Sequence, residues 1–172
     1  MVGHRTGFPR LLGDVGGTNA RWAWQADATA PLAHVASLPT SGYATIADCI
    51  AAYLKQHSLP TPREAAFGIA TAVDADEVRM TNHSWSFSID ALRATVGVDR
   101  LRVLNDFEAL AHAVPGLDAG SLSVVGSGSA LPEAARAVIG PGTGLGVSGL
   151  MPDGHGSWGV IAGEGGHVTL AA

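Results

Sequence analysis

The first group of residues suited to binding an anion lies at the end of the first apolar segment, at 11–15. This segment predicts a buried strand that ends in an acidic residue and runs into two glycines. Two glycines allow a tight backbone turn whose amide groups face an anion, although the same residues also suit a plain β-hairpin turn. The full string is more specific than two glycines alone and favours a ligand-binding turn. The candidates are Gly13, Asp14, Val15, Gly16, Gly17 and Thr18.

A second glycine-rich turn covers 140–146 and places glycine at every other position. This spacing differs from the dinucleotide-binding fingerprint, and no lysine follows it as a P-loop requires. Alone it is equally typical of a flexible hairpin. Paired with the first turn, it could hold the same phosphate chain from the opposite side. Its candidates are Gly142, Thr143 and Gly144.

Asn105 and Asp106 end a predicted strand at 101–104 and begin a predicted helix. Ligand-binding residues in α/β sheets lie at the carboxyl ends of strands. Asp106 could equally cap the helix, and the two roles are compatible. The pair is therefore a candidate for substrate contact.

Glu164 and His167 flank two further glycines. A carboxylate and an imidazole at this spacing suit hydrogen bonds to a polyol, and an ordinary polar loop explains them equally well. The spacing is not that of a zinc-binding helix, and the seven histidines and one cysteine show no zinc-ligand pattern.

The segment 81–87 mixes polar residues with two aromatic ones. Thr81 and Asn82 suit a loop that contacts a sugar. For Trp85 and Phe87 we favour a different role, in which the rings anchor the loop to the core.

The elements that must position these residues alternate between strands and helices. Strands predicted at 19–25 and 34–38 form an antiparallel meander with the first strand, and Trp22 and Trp24 share one face. A helix is predicted from Tyr43 to His57 with Ser41 as its N-cap. A second helix runs from the cap Ser88 to Val96, and Gly97 ends it. A strand, a glycine-rich turn and a returning strand occur twice, at 11–25 and 137–150.

Composition excludes several classes of function. The net charge is −5 and Lys55 is the only lysine, so the dense positive surface that binds nucleic acid is missing. No apolar run is long enough to span a membrane, and no signal peptide is recognisable. The single cysteine, Cys49, fits a reducing compartment. These features predict a soluble cytoplasmic protein.

Taken in order, the five motifs resemble the bacterial glucokinase family, within the sugar kinase, actin and Hsp70 superfamily. They begin at Gly13, Thr81, Asn105, Gly142 and Gly163, and the resemblance covers the chain from about Leu11 to Val168. It implies an α/β fold of ribonuclease-H-like domains with a mixed sheet. The implied organisation is a leader at 1–10, a small domain at 11–116, and the incomplete start of a larger second domain at 117–172. The boundary falls at the start of a segment rich in Gly, Ser and Ala.

The resemblance also implies the chemistry, which is ATP-dependent phosphorylation of D-glucose to glucose 6-phosphate. Asp106 would be the general base for the sugar 6-hydroxyl, with Asn105, Glu164 and His167 on the other hydroxyls. The two glycine turns would hold the phosphates of ATP. Asp14 would lie near Mg²⁺, with water between them.

Family members are about twice as long as this chain, so the resemblance implies an N-terminal half and, at full length, a homodimer. Two interpretations stay open at this point. The chain is part of an active glucose kinase, or it is an inactive remnant that binds sugar weakly.

Overall fold

The computed structural model describes residues 7–141, 144–163 and 165. The chain divides into two compact units, Met1–Asp106 and Phe107–Ala172. Each unit is described by itself below. The domain boundary predicted after residue 116 stays a prediction.

Along the chain, the α-helices separate groups of strands. The strands are β1 (Arg10–Val15), β2 (Asn19–Gln25), β3 (Ala33–Pro39), β4 (Glu64–Ile69), β5 (Glu77–Arg79), β6 (Ser86–Ser88), β7 (Arg100–Asn105), β8 (Arg136–Pro141), β9 (Leu145–Pro152) and β10 (Trp158–Gly163). The helices are α1 (Ile46–Gln56), α2 (Ile89–Val96) and α3 (Asp106–Ala113).

A five-stranded mixed sheet with the order β3-β2-β1-β4-β7 organises the first unit. The first three strands pair antiparallel, which confirms the predicted meander. β4 and β7 then add in parallel to β1. The parallel part requires crossover connections, which contain α1 and α2.

Helix α1 begins later than the sequence predicts. Its N-cap is Thr45, whose hydroxyl accepts from the Asp48 N–H at 3.1 Å, while the Asp48 carboxylate accepts from the Thr45 N–H at 3.1 Å. This reciprocal pair satisfies two amides at the start of the helix. The predicted cap, Ser41, is wrong because it lies inside a separate 3₁₀ turn, Thr40–Gly42.

Helix α2 has the predicted ends. The Ser88 hydroxyl accepts from the Ala91 N–H at 3.0 Å. Gly97 ends the helix in the left-handed region at a φ of 80°, where a side chain would be strained.

The core of the first unit is built around Trp22. This side chain is 1% exposed and packs edge-on against Phe67, with ring centroids 5.2 Å apart. Its indole N–H donates to the Cys49 sulfur at 3.4 Å. Burial raises the pKa of the Cys49 thiol, and the Trp22 hydrogen bond opposes this only in part. Cys49 is therefore a packed core residue in its neutral form.

The second unit contains a three-stranded antiparallel sheet, β10-β9-β8. Directly paired residues share a face, so the register assigns every side chain to one side or the other. Leu150 and Ser148 lie on a face that is buried. The opposite face presents Ile139, Met151 and Ile161, which are 62%, 51% and 54% exposed.

This exposed face predicts that the 172-residue chain associates with itself. Burial of these three large apolar side chains away from water lowers the free energy, which favours association. We expect sedimentation velocity to show mass rising with concentration, and the double variant Ile139→Lys/Ile161→Lys to suppress the rise. Val125→Lys is the matched control, because Val125 is 96% exposed and lies outside the sheet. A parent chain that stays monomeric throughout would contradict the prediction.

Candidate functional site

Three parallel strands bring the predicted site residues of the first unit to one edge. Val15 at the end of β1 is in register with Ile69 at the end of β4, and Ile69 with Asn105 at the end of β7. The glycine turn, the segment from Ala70 and the Asn105–Asp106 pair therefore leave the sheet side by side. Asp106 is the first residue of α3. The carboxyl ends of parallel strands are where α/β sheets bind ligands.

The first glycine turn joins β1 to β2 and is closed by a hydrogen bond from the Gly16 N–H to the Asn19 carbonyl at 2.9 Å. Asp14 lies just before it and faces solvent, with its side chain 61% exposed. Its carboxylate accepts from Arg21 on β2 at 3.2 Å. The turn thus combines backbone amides with an accessible carboxylate.

Two glycines of this string are required by packing. A Cβ atom on Gly13 would lie 2.5 Å from the Trp22 ring, so the core demands glycine there. A Cβ on Gly17 would lie 2.8 Å from the Asn82 carbonyl oxygen and 3.0 Å from its Cβ. The glycine turn and the loop with Thr81 and Asn82 are therefore in close contact, which the sequence did not predict.

A chain of hydrogen bonds joins that loop to β7. The Asn105 side-chain amide donates to the Thr71 carbonyl at 3.2 Å. The Thr71 hydroxyl donates to the Arg79 carbonyl at 3.0 Å, and it lies 3.1 Å from the Thr81 hydroxyl. Since Thr71 has one hydroxyl proton, Thr81 is the donor in the second contact. Asn105 and Thr81 are thus held in one network.

The loop itself is anchored by an aromatic residue, as predicted. Trp85 is 3% exposed, and its indole N–H donates to the Tyr43 carbonyl at 3.1 Å. The Met80 N–H donates to the Trp85 carbonyl at 3.1 Å and closes the loop. Trp85 therefore anchors the loop to the core.

Asp76, which precedes the loop in the sequence, is hydrogen-bonded to the start of α2, which follows the loop. Its carboxylate accepts from the Asp90 N–H at 2.9 Å. Hydrogen bonds from the Ser88 hydroxyl, then from Asp90, hold the pKa of Asp76 below its usual range. The carboxylate stays ionised near neutral pH and supports the start of α2.

Four predicted site residues lie outside the described residues. They are Gly142, Thr143, Glu164 and His167. Near the second turn, added Cβ atoms on Gly140 and Gly146 would strike the Phe107 ring. These two glycines are therefore required because the Phe107 ring occupies the space that their side chains would fill.

Two buried threonines in this region were missed by the sequence interpretation. Thr71 is 9% exposed and Thr40 is 1% exposed. Neither belongs to a recognisable motif, and only the pairing of the strands brings them to the site.

Within the described ranges, no cluster of three or more His, Cys, Asp or Glu side chains could hold a metal ion. In the same ranges, no helix has the length and apolar character needed to cross a membrane. The exposed Asp14 carboxylate is a single candidate ligand. A single carboxylate would fit Mg²⁺ held mainly by water and phosphate oxygens.

A mixed sheet with a glycine turn and an acidic helix start at one edge defines an α/β domain with a candidate ligand site at that edge. Comparison with known proteins narrows this class. The family model described as glucokinase matches residues 11–172, and the chain belongs to that family.

Individual relatives support the same family assignment. A glucokinase of Aromatoleum aromaticum is 50% identical over 166 residues, which cover 96% of this chain and 50% of that protein. A glucokinase of Ralstonia nicotianae is 48% identical over 172 residues, covering 96% of this chain and 49% of that protein. The chain thus spans about half the length of the curated relatives it matches.

The crystal structure of a glucokinase from an Antarctic psychrotroph superposes with a TM-score of 0.82 at 34% identity. The match covers 95% of this chain and 52% of that one. It confirms the predicted fold class, an α/β ribonuclease-H-like fold with a mixed sheet.

The contact between Gly17 and Asn82 generates a prediction about stability. Gly17→Ala should lower the free energy of unfolding by about 1–3 kcal/mol, because the added methyl group must push two backbone segments apart. Urea denaturation followed by tryptophan fluorescence measures this change. Gly116→Ala is the control, since a Cβ there meets nothing within 4 Å. Equal denaturation midpoints for the two variants would show that the loops are not in close contact.

Proposed function

We propose that this chain forms the N-terminal half of an ATP-dependent glucose kinase, which converts D-glucose to glucose 6-phosphate. The observation that carries the proposal is the shared edge of β1, β4 and β7. It brings a glycine turn suited to phosphates next to the polar residues suited to a sugar. Membership of the glucokinase family supports the same reaction.

On the sugar side, Asp106 acts as the general base. It accepts the proton of the glucose 6-hydroxyl while that oxygen attacks the γ-phosphorus of ATP, and ADP leaves with the electrons of the broken P–O bond. Asn105, Thr81 and Asn82 bind sugar hydroxyls. The network through Thr71 supports this role, because it fixes Asn105 and Thr81 before any ligand arrives.

On the nucleotide side, the turn at Asp14–Thr18 binds phosphate oxygens through the amides of Gly17 and Thr18, because the Gly16 N–H already donates to the Asn19 carbonyl. Gly142–Gly144 contribute from the second turn. Backbone amides are suitable donors here because the chain has a single lysine. Mg²⁺, when bound, neutralises charge on the phosphates. Asp14 would hold it through a water molecule, consistent with its exposed carboxylate.

Glu164 and His167 complete the proposed sugar contacts. The full-length protein is proposed to be a cytoplasmic homodimer whose partners are glucose and ATP, with no nucleic acid or membrane bound. The net charge of −5 and the neutral, buried Cys49 support this setting.

Glucose-dependent ADP release with Mg-ATP tests the function directly. We expect activity from the longest gene product that contains these 172 residues. If that product lacks activity while it is folded, the proposal fails and the inactive remnant is favoured. The 172-residue chain measured in parallel shows whether the second half is needed for turnover.

The proposed role of Asp106 as general base predicts that its removal lowers turnover without weakening glucose binding. In the active form, Asp106→Ala should reduce kcat by about 10²–10⁴-fold, the usual contribution of a general base, with little change in glucose affinity. Asp90→Ala is a matched control, because Asp90 is also an acidic residue in the first turn of a helix and is exposed. Turnover of Asp106→Ala within about tenfold of the parent would exclude Asp106 as the base.

A further inference from the structure

Thr40 contacts the glycine turn with two of its atoms. It lies directly after β3, and it is 1% exposed. Its hydroxyl donates to the Gly17 carbonyl at 2.8 Å, and its backbone N–H donates to the Thr18 carbonyl at 3.0 Å. One buried residue therefore holds two consecutive carbonyl groups of the turn.

These two hydrogen bonds also set the direction of amide groups. A trans peptide is planar, so its N–H points away from its C=O. The Gly17 carbonyl is drawn towards Thr40, and the Thr18 N–H in the same peptide plane consequently points away from Thr40. The Thr18 carbonyl likewise points towards the Thr40 N–H, so the Asn19 N–H in that peptide plane points away from Thr40.

Asn82 limits the turn from another direction. Its carbonyl oxygen would lie 2.8 Å from a Cβ on Gly17, so there is no room for a side chain between the turn and that loop. The bond from the Gly16 N–H to the Asn19 carbonyl, at 2.9 Å, closes the turn itself. With these contacts in place, the Thr40 hydroxyl decides how the Gly17–Thr18 peptide is oriented.

We propose that Thr40 is a positioning residue, which orients the amides of the glycine turn so that they receive the phosphates of the nucleotide. This inference rests on the proposed function. It goes further by assigning nucleotide affinity to a residue outside the turn. Thr40 has no contact with the nucleotide in this role and acts through Gly17 and Thr18.

The decisive variant is Thr40→Val in the longest gene product. Valine keeps the shape of threonine and the backbone N–H, but it removes the hydroxyl proton that the Gly17 carbonyl accepts. We expect the KM for ATP to rise about tenfold, the effect of losing one buried hydrogen bond, while the KM for glucose stays near the parent value. Thr40→Ser restores the hydroxyl and should restore the KM for ATP.

Thr95→Val is the control for loss of a threonine hydroxyl on the exposed surface. The Thr95 hydroxyl donates to the Ala91 carbonyl at 2.8 Å within α2, so the same type of bond is lost away from the turn. This variant should keep the parent KM for both substrates. If Thr40→Val also keeps the parent KM for ATP, or if Thr40→Ser fails to restore it, the proposal is overturned.

Amide hydrogen exchange gives a readout that needs no activity. The Gly16 amide is protected by Asn19, and it should exchange faster in Thr40→Val than in the parent or in Thr95→Val. An inactive parent would count against the kinase function alone. Unchanged exchange at Gly16 would overturn the role of Thr40, whatever the activity of the parent.

Discussion

The parallel register of β1, β4 and β7 is the constraint on which the candidate site depends. It aligns Val15, Ile69 and Asn105, which are far apart in the sequence, at one edge of the sheet. The glycine turn follows β1, the segment with Thr71 follows β4, and Asp106 follows β7. Since the strands are hydrogen-bonded along their lengths, the relative positions of these segments are fixed by the sheet and not by the loops themselves.

The core holds this register in place and also explains part of the glycine content. Trp22 fills the space above Gly13, and it packs against Phe67 on β4. A large side chain on β2 thus occupies the place where β1 has none, which joins three neighbouring strands by packing as well as by hydrogen bonds. Packing therefore requires glycine at position 13, against Trp22, and at position 17, against Asn82.

Buried hydroxyl groups complete the positioning of the site. Thr40 satisfies carbonyls of the glycine turn, and Thr71 links β7 to the loop that contains Thr81. Both threonines are almost fully buried, where an unsatisfied polar group is costly. The polar edge of the sheet is therefore organised before a ligand binds, which is the arrangement expected of a site that orients its substrates.

The sequence by itself determined most of the order of strands and helices, the meander, the caps of α2, and the family, because these follow from local periodicity, cap chemistry and motif order. It did not predict the short strand β6, because it assigned 81–87 to a loop. It placed Asn105 and Asp106 at a strand end, and the structure has them there. It misplaced the start of α1, because the choice between Ser41 and Thr45 depends on where the chain turns after β3. Only the tertiary structure decided that Thr40 and Thr71 belong to the site and that Gly17 touches Asn82. These contacts join residues distant in sequence, so no local pattern records them, and they exist only once the strands have paired.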